Sequence, residues 1–230
     1  MHIPDGFIDA PTSVGAAVVA VGGIAVCLKR AGQVLDERQV PLAGLTAAFV
    51  FAVQLLNFPV ASGTSGHLLG GVLAAVLVGP SVGALCLTVV LVVQSLLFAD
   101  GGLSALGLNV LNMGLLGTFG GALAFLAIRA LLPKRPSGLV LAAGIAAGVG
   151  VVLAAVGFAI EFAIGGTGGA SVTTVARAMV GVHVLIGVVE GIITGMTVGA
   201  VLASRPDLVW GARELEPRPP VGLEVAGAHR

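Results

Sequence analysis

The sequence predicts an all-α, polytopic membrane protein. It should have seven transmembrane helices, the N-terminus outside and inserted into the bundle, and the C-terminus in the cytoplasm. Three observations lead there. Of 230 residues, 57% are hydrophobic, 36 are Gly and only 10% are charged, against about 25% charged in a soluble domain. The mean hydropathy of +1.10 leaves too little polar surface for a water-soluble ball of this size. Apolar runs then follow one another along the chain, and the basic residues sort to one side of them. A soluble enzyme, a nucleic-acid binder and a disordered protein are excluded.

The opening MHIPDGFIDAP holds no Lys or Arg, so it is not the basic start of a signal peptide. Apolar segments follow at residues 12–28, 41–57, 67–79, 81–98, 106–129, 138–165 and 172–203. Most can cross about 30 Å of hydrocarbon at 1.5 Å per residue. The third is short, and fusing it with the fourth through Gly79-Pro80 is the alternative. Charge decides. With seven spans, Lys29, Arg30, Arg38, Arg129, Lys134, Arg135, Arg205, Arg213, Arg218 and Arg230 share one face, the cytoplasmic one. Loops 58–66, 99–105 and 165–171 carry no Lys or Arg and fall on the other face. Arg177 is the exception. Residues 1–203 thus read as one transmembrane metal-binding domain, and 204–230, with four prolines, as a loosely ordered cytoplasmic tail.

Cys27 and Cys86 lie in apolar runs and read as small hydrophobes. Gly187, Gly191, Gly195 and Gly199 recur every four residues, and Gly144/Gly148 and Gly117/Gly121 share that spacing. Such faces bring helix backbones together in lipid, within this chain or against another membrane subunit.

Polar residues are the informative ones in so apolar a chain. Met1 is expected to be retained, because His2 is too bulky for routine removal of the initiator. The free amine, the His2 amide nitrogen and the His2 imidazole can then chelate one ion in fused small rings. Ni(II) and Cu(II) displace an amide proton readily, and Co(II) can. Three nitrogens in a plane leave a fourth place, and four in a plane suit Ni(II) or Cu(II). The polar loop from Asn57 to His67 delivers a lone His to the start of a short helix. A 13-residue helix at 67–79 would set His67 below the outer surface, within reach of an eleven-residue N-terminal arm. Met1, His2 and His67 are therefore the expected metal ligands. Asp5, Asn57, Ser65, Gln94, Asp100, Asn109 and Asn112 are candidates to surround them and hold a ligand imidazole in one tautomer. Asp5, Asp9 and Asp100 would draw in a cation, and loop 58–66 would close over it. Glu161, Arg177, His183 and Glu190 form a second polar set, a buried structural network or a proton path.

Other chemistries are missing. Neither lysine, Lys29 or Lys134, follows Gly, so no phosphate-binding loop is present. CxxC and HExxH are absent, and no Ser–His pair suits a dyad. The chain is not expected to be an enzyme or to hold a resident cofactor.

MHIPDGFIDAP, NFPVASGTSGHLLGG at 57–71, QSLLFADGGLSALGLNVLNMG at 94–114 and VHVLIGVVEGIIT at 182–194 resemble, in that order, the CbiM/NikM family. These are the substrate-binding membrane components of energy-coupling-factor transporters for cobalt and nickel. The resemblance implies seven helices and a metal held by Met1, His2 and His67. It implies Co(II) or Ni(II) as the transported ligand and a prokaryotic cell membrane as the location. A transmembrane coupling subunit and two cytoplasmic ATPases are the implied partners, with a small accessory membrane protein in cobalt systems. Residues 204–230 hold no apolar span that would supply that protein. A contrasting expectation is an ion-coupled secondary transporter or channel using Glu161, His183 and Glu190; another is a scaffold with no ligand.

Overall fold

A computed structural model of the chain describes residues 1–35, 37, 39–56, 58–59, 65–213 and 215. Every apolar segment becomes a helix. α1 covers Ala10–Val34 and begins where the Asp9 carboxylate accepts from the Thr12 N–H at 2.9 Å. α2 is Gln39–Gln54. A two-residue ladder pairs Phe58 with Gly66 and Pro59 with Ser65. α3 is Gly71–Val78, and α4, Pro80–Leu97, follows across Gly79. Gly79 has a φ of 89°, a left-handed value that suits glycine and breaks the helix there. α5 is Leu106–Leu131, with π-type winding from Val110 to Gly120. α6 is Pro136–Gly165 and α7 is Val172–Ser204.

α1, α4, α5, α6 and α7 are long and apolar enough to cross a membrane. α2 has 16 residues, and the 8-residue α3 is buried along its whole length. The packing suits a lipid solvent. Val14, Val18, Val21, Leu131, Leu185 and Met196 point outward, while Gln54, His67, Gln94, Asn109, His183 and Glu190 are buried. Hydrocarbon leaves backbone and side-chain polar groups to find partners inside the protein.

The third helix starts later than the expected residue 67. Residues 67–70 are not helical. Gly70 has a φ of +76°, and the Glu190 carboxylate accepts from the Leu69 and Gly70 N–H groups at 2.7 and 2.6 Å. An unpaired buried N–H costs about 1–3 kcal/mol. One carboxylate on α7 therefore satisfies both ahead of α3.

The glycine repeats are spent within the chain. A Cβ on Gly191 would lie 2.7 Å from the Gly144 carbonyl oxygen, and one on Gly187 would lie 3.1 Å from that of Gly148. α6 and α7 therefore touch backbone to backbone. Gly117 faces Leu69 and Ala154, and Gly121 faces Val72 and Gly150. Cys27 and Cys86 are buried free thiols.

The apolar interior falls into two main clusters. One joins Met1, Ile3, Leu68, Leu69, Met113, Phe158, Met179 and Ile186. The other joins Val72, Val76, Phe125, Leu139, Val198 and Leu202, and is closed by Val209 and Ala212. Residues expected to open a loose tail are thus packed: Pro206–Leu208 and Trp210–Ala212 form short 3₁₀ turns, and Trp210 lies against Gly79. Burying Val209 and Ala212 outweighs the disorder that the composition of 204–230 suggests. Residues 216–230 lie outside the described residues.

Candidate metal centre

The N-terminal arm is strapped into the bundle along its length. Ile3 donates its N–H to Asn109 Oδ1 at 2.8 Å, and its carbonyl accepts from Asn109 Nδ2 and from the Gly102 N–H. Asp5 Oδ1 accepts from the Ser104 N–H and hydroxyl, which hold that carboxyl below the usual carboxylate range. On the other side Ile8 bridges Gly166, Asp9 N–H donates to the Gly165 carbonyl at 2.7 Å, and Thr167 donates to the Gly6 and Phe7 carbonyls. Phe7 stacks on Phe158 and lies tilted against Phe162. The effect is to bury the chain start: Met1 is 1% exposed and His2 4%.

Burial disfavours charge on the Met1 amine and takes it down to about 4, although nearby Asp100 pulls the other way. At neutral pH the amine is therefore an unprotonated donor. His2 Nε2 faces Gln94 Oε1 at 3.2 Å, and the amide oxygen accepts the ring N–H. Nδ1 lies 3.1 Å from Asp100 Oδ1. Nδ1 is also the nitrogen that chelation needs. Amine and amide close a five-membered ring, and amide and Nδ1 a six-membered one; Nε2 points the wrong way.

His67 is fully buried and its ring lies 4.5 Å from that of His2, stacked at 28°. Its Nδ1–H donates to the Leu68 carbonyl at 2.7 Å. Nε2 therefore carries a lone pair, buried and without a hydrogen-bond partner. Among the described residues, no group of three or more His, Cys, Asp or Glu side chains converges as a metal site. The donors gathered here are two main-chain nitrogens and two imidazoles, a set such a count does not register.

The remaining expected residues divide. Gln94 reaches His2, whereas Asn109 holds the Ile3 main chain and Asn112 donates to Glu161 at 2.5 Å. Asp5 and Asp9, expected to attract an ion, serve as a latch on Ser104 and a helix cap; only Asp100 faces a ligand nitrogen. Asn57 lies outside the described residues, and Ser65 is placed by its backbone pairing with Pro59. Glu161, Arg177, His183 and Glu190 do not form one network. Glu161 pairs with Asn112, His183 with the Met179 carbonyl, and Glu190 with Leu69 and Gly70. Arg177 is exposed. Glu161 lies on α6 and the other three on α7, and the three buried ones each meet a separate partner.

Two contributors escaped the sequence reading. Gln54 is fully buried in α2 and donates to the Leu69 carbonyl at 2.7 Å, fixing the stretch that carries His67. An amide inside an apolar segment is the signal that marks it. Gly102 is the other: a Cβ there would collide with the Pro4–Asp5 main chain. Gly102→Ala is expected to displace the arm and weaken divalent-ion binding by on the order of tenfold or more. Titration beside a thermal melt that stays unchanged checks this.

The profile described as "Cobalt uptake substrate-specific transmembrane region" matches residues 2–208. This chain belongs to the CbiM family. It is a multi-pass membrane protein of a transport family, and its relatives are named as transport proteins. A protein of Haloquadratum walsbyi, provisionally named a metal transport protein, is 37% identical over 91% of this chain and 94% of its own length. The cobalt transport protein CbiM of Geobacter sulfurreducens is 38% identical over 64% of this chain, and the match spans 42% of that protein. The fused nickel transport protein NikMN of Rhodobacter capsulatus is 37% identical over 51% of this chain and 34% of its own length. A crystal structure described as a transition metal transporter superposes with a TM-score of 0.83 at 30% identity. It covers 89% of this chain and 93% of that one.

Proposed function

We propose that this CbiM-family chain is the substrate-binding membrane component of an ATP-driven energy-coupling-factor importer for cobalt or nickel ions. It takes the divalent cation from outside with the Met1 amine, the His2 amide and Nδ1, and His67 Nε2. The observation that carries this reading is the buried chain start laid against an imidazole whose Nε2 lone pair has no other partner. Seven spans, with the N-terminus outside and the C-terminus in the cytoplasm, follow from the one-sided basic residues; α3, continued by the non-helical 67–70 stretch, makes up the shortest.

Charge supports the assignment. A divalent ion bound through a deprotonated amide leaves one net positive charge, and Asp100 beside His2 supplies one negative charge. The filled site is then close to neutral, which a buried site requires. The sequence carries no Gly-Lys-Ser/Thr phosphate loop, which fits a chain whose energy is supplied by partners. These are a transmembrane coupling subunit, two cytoplasmic ATPases and, for cobalt, a small accessory membrane protein. Cobalt and nickel relatives both occur.

Uptake in cells tests this reading. Radioactive Co(II) or Ni(II) should accumulate when the chain is co-expressed with its coupling and ATPase subunits, and accumulation should stop on ATP depletion. Equal uptake by the chain alone, abolished by an uncoupler and indifferent to ATP, would show ion-coupled transport instead.

A further inference from the structure

Away from the chain start, the bundle carries a cleft that metal binding does not use. It opens between the end of α1, the Gly79–Pro80 junction ahead of α4 and the turn at Trp210–Ala212, and it holds about 210 Å³. Arg30, Gln33, Ser81, Trp210 and Arg213 contribute its polar lining. Arg30 lies about 30 Å along α1 from Ala10, so the cleft sits at the far end of that helix from the N-terminal arm.

These side chains can all donate hydrogen bonds. Arg30 and Arg213 each bring a guanidinium, Trp210 an indole N–H and Ser81 a hydroxyl. Among the described residues no carboxylate lines the cleft, and neither arginine forms an ion pair. Arg213 is held in place: its Cζ lies 5.9 Å from the centre of the Trp210 ring. The indole is itself fixed. A Cβ on Gly79 would lie 3.2 Å from Trp210 Nε1, and the flanking Val209 and Ala212 are buried in the core. Beside the cations, Val26, Leu28 and Val34 stand exposed on α1, and Val34 also lines the cleft. Fixed positive charge next to bare apolar surface matches an amphiphile with an anionic head.

We propose that this cleft binds the phosphate group of an anionic phospholipid between Arg30 and Arg213, with the acyl chains lying along the exposed face of α1. The planar guanidinium fork matches two phosphate oxygens at once. Basic pockets between membrane helices take anionic headgroups in this way. The cleft is smaller than the pockets of about 300–1,000 Å³ that enclose drug-sized ligands, so it is scaled to a headgroup. Its two cations come from opposite ends of the sequence. One phosphate therefore ties the end of α1 to the segment after α7, across the break at Gly79. The claim does not depend on the metal centre.

Trp210 is the chain's only tryptophan, so intrinsic fluorescence reads the cleft directly. The full-length protein in neutral detergent is titrated at fixed ionic strength with phosphatidylglycerol, with phosphatidylcholine, whose choline cancels the phosphate charge, and with inorganic phosphate. Phosphatidylglycerol should give a saturable change that phosphatidylcholine does not. Arg30→Gln and Arg213→Gln should each raise the midpoint by on the order of tenfold. Lys134→Gln, which removes a charge outside the cleft, should leave it unchanged. Equal responses to the two lipids, or arginine variants that match Lys134→Gln, overturn the proposal. Saturation by inorganic phosphate that leaves phosphatidylglycerol no further effect overturns the lipid as the source of the anion. The comparison of lipids on wild type decides the matter even where a variant fails to fold.

Discussion

One alanine placed ahead of Met1 is expected to abolish tight Co(II) and Ni(II) binding, a loss on the order of 10³-fold or about 4 kcal/mol. The extension removes no side chain. What it changes is chemistry along the backbone. The Met1 nitrogen becomes an amide, and the imidazole moves from the second residue to the third. The five- and six-membered rings can no longer share the His2 nitrogen with a terminal amine. The new amine also has no room, since Met1 is 1% exposed and Ile3 fully buried beneath Gly102 and Asn109. Calorimetric titration of the extended and native proteins in detergent reads the effect. An unchanged affinity would mean that the terminal nitrogens do not bind the ion.

His67→Ala is the second large effect, on the order of 10²-fold or more in affinity, with the melting temperature little changed. The two readouts separate because His67 does not hold its own segment in place. Leu69 and Gly70 are fixed by Glu190 on one side, and the Leu69 carbonyl by Gln54 on the other. Removing the imidazole costs its bond to the Leu68 carbonyl and its stacking on His2, but none of those anchors. Glu190→Ala should behave the opposite way. It strands two buried N–H groups at about 1–3 kcal/mol each, so a lower melting temperature should accompany any loss of binding.

Composition and the spacing of apolar runs made the helical membrane architecture legible, because lipid leaves few alternatives. The chain start and His67 stood out for the same reason: nitrogen donors are rare in such a sequence. Contacts between distant segments were not legible. Nothing in the spacing says that Asn109 meets Ile3 while Asn112 meets Glu161; the difference lies in how the π-wound part of α5 turns its faces. Glu190 read as a member of a charge network, yet it caps the 67–70 stretch, because only the folded register brings Gly70 to it. Arg177 read as buried from its place in an apolar run, but lies on an exposed face of α7. A periodic pattern locates a helix without stating which side another helix covers.

Counting protons released per ion bound tests the central claim most directly. At pH 8.5 the Met1 amine, depressed to about 4 by burial, is already unprotonated, so the proton to be counted is the one that the His2 amide gives up. Calorimetry of Ni(II) binding in buffers of different ionisation enthalpy should return one proton per ion, after correction for buffer–metal binding. A value of zero would mean that the main chain is not a ligand and that the chelate at the chain start does not form.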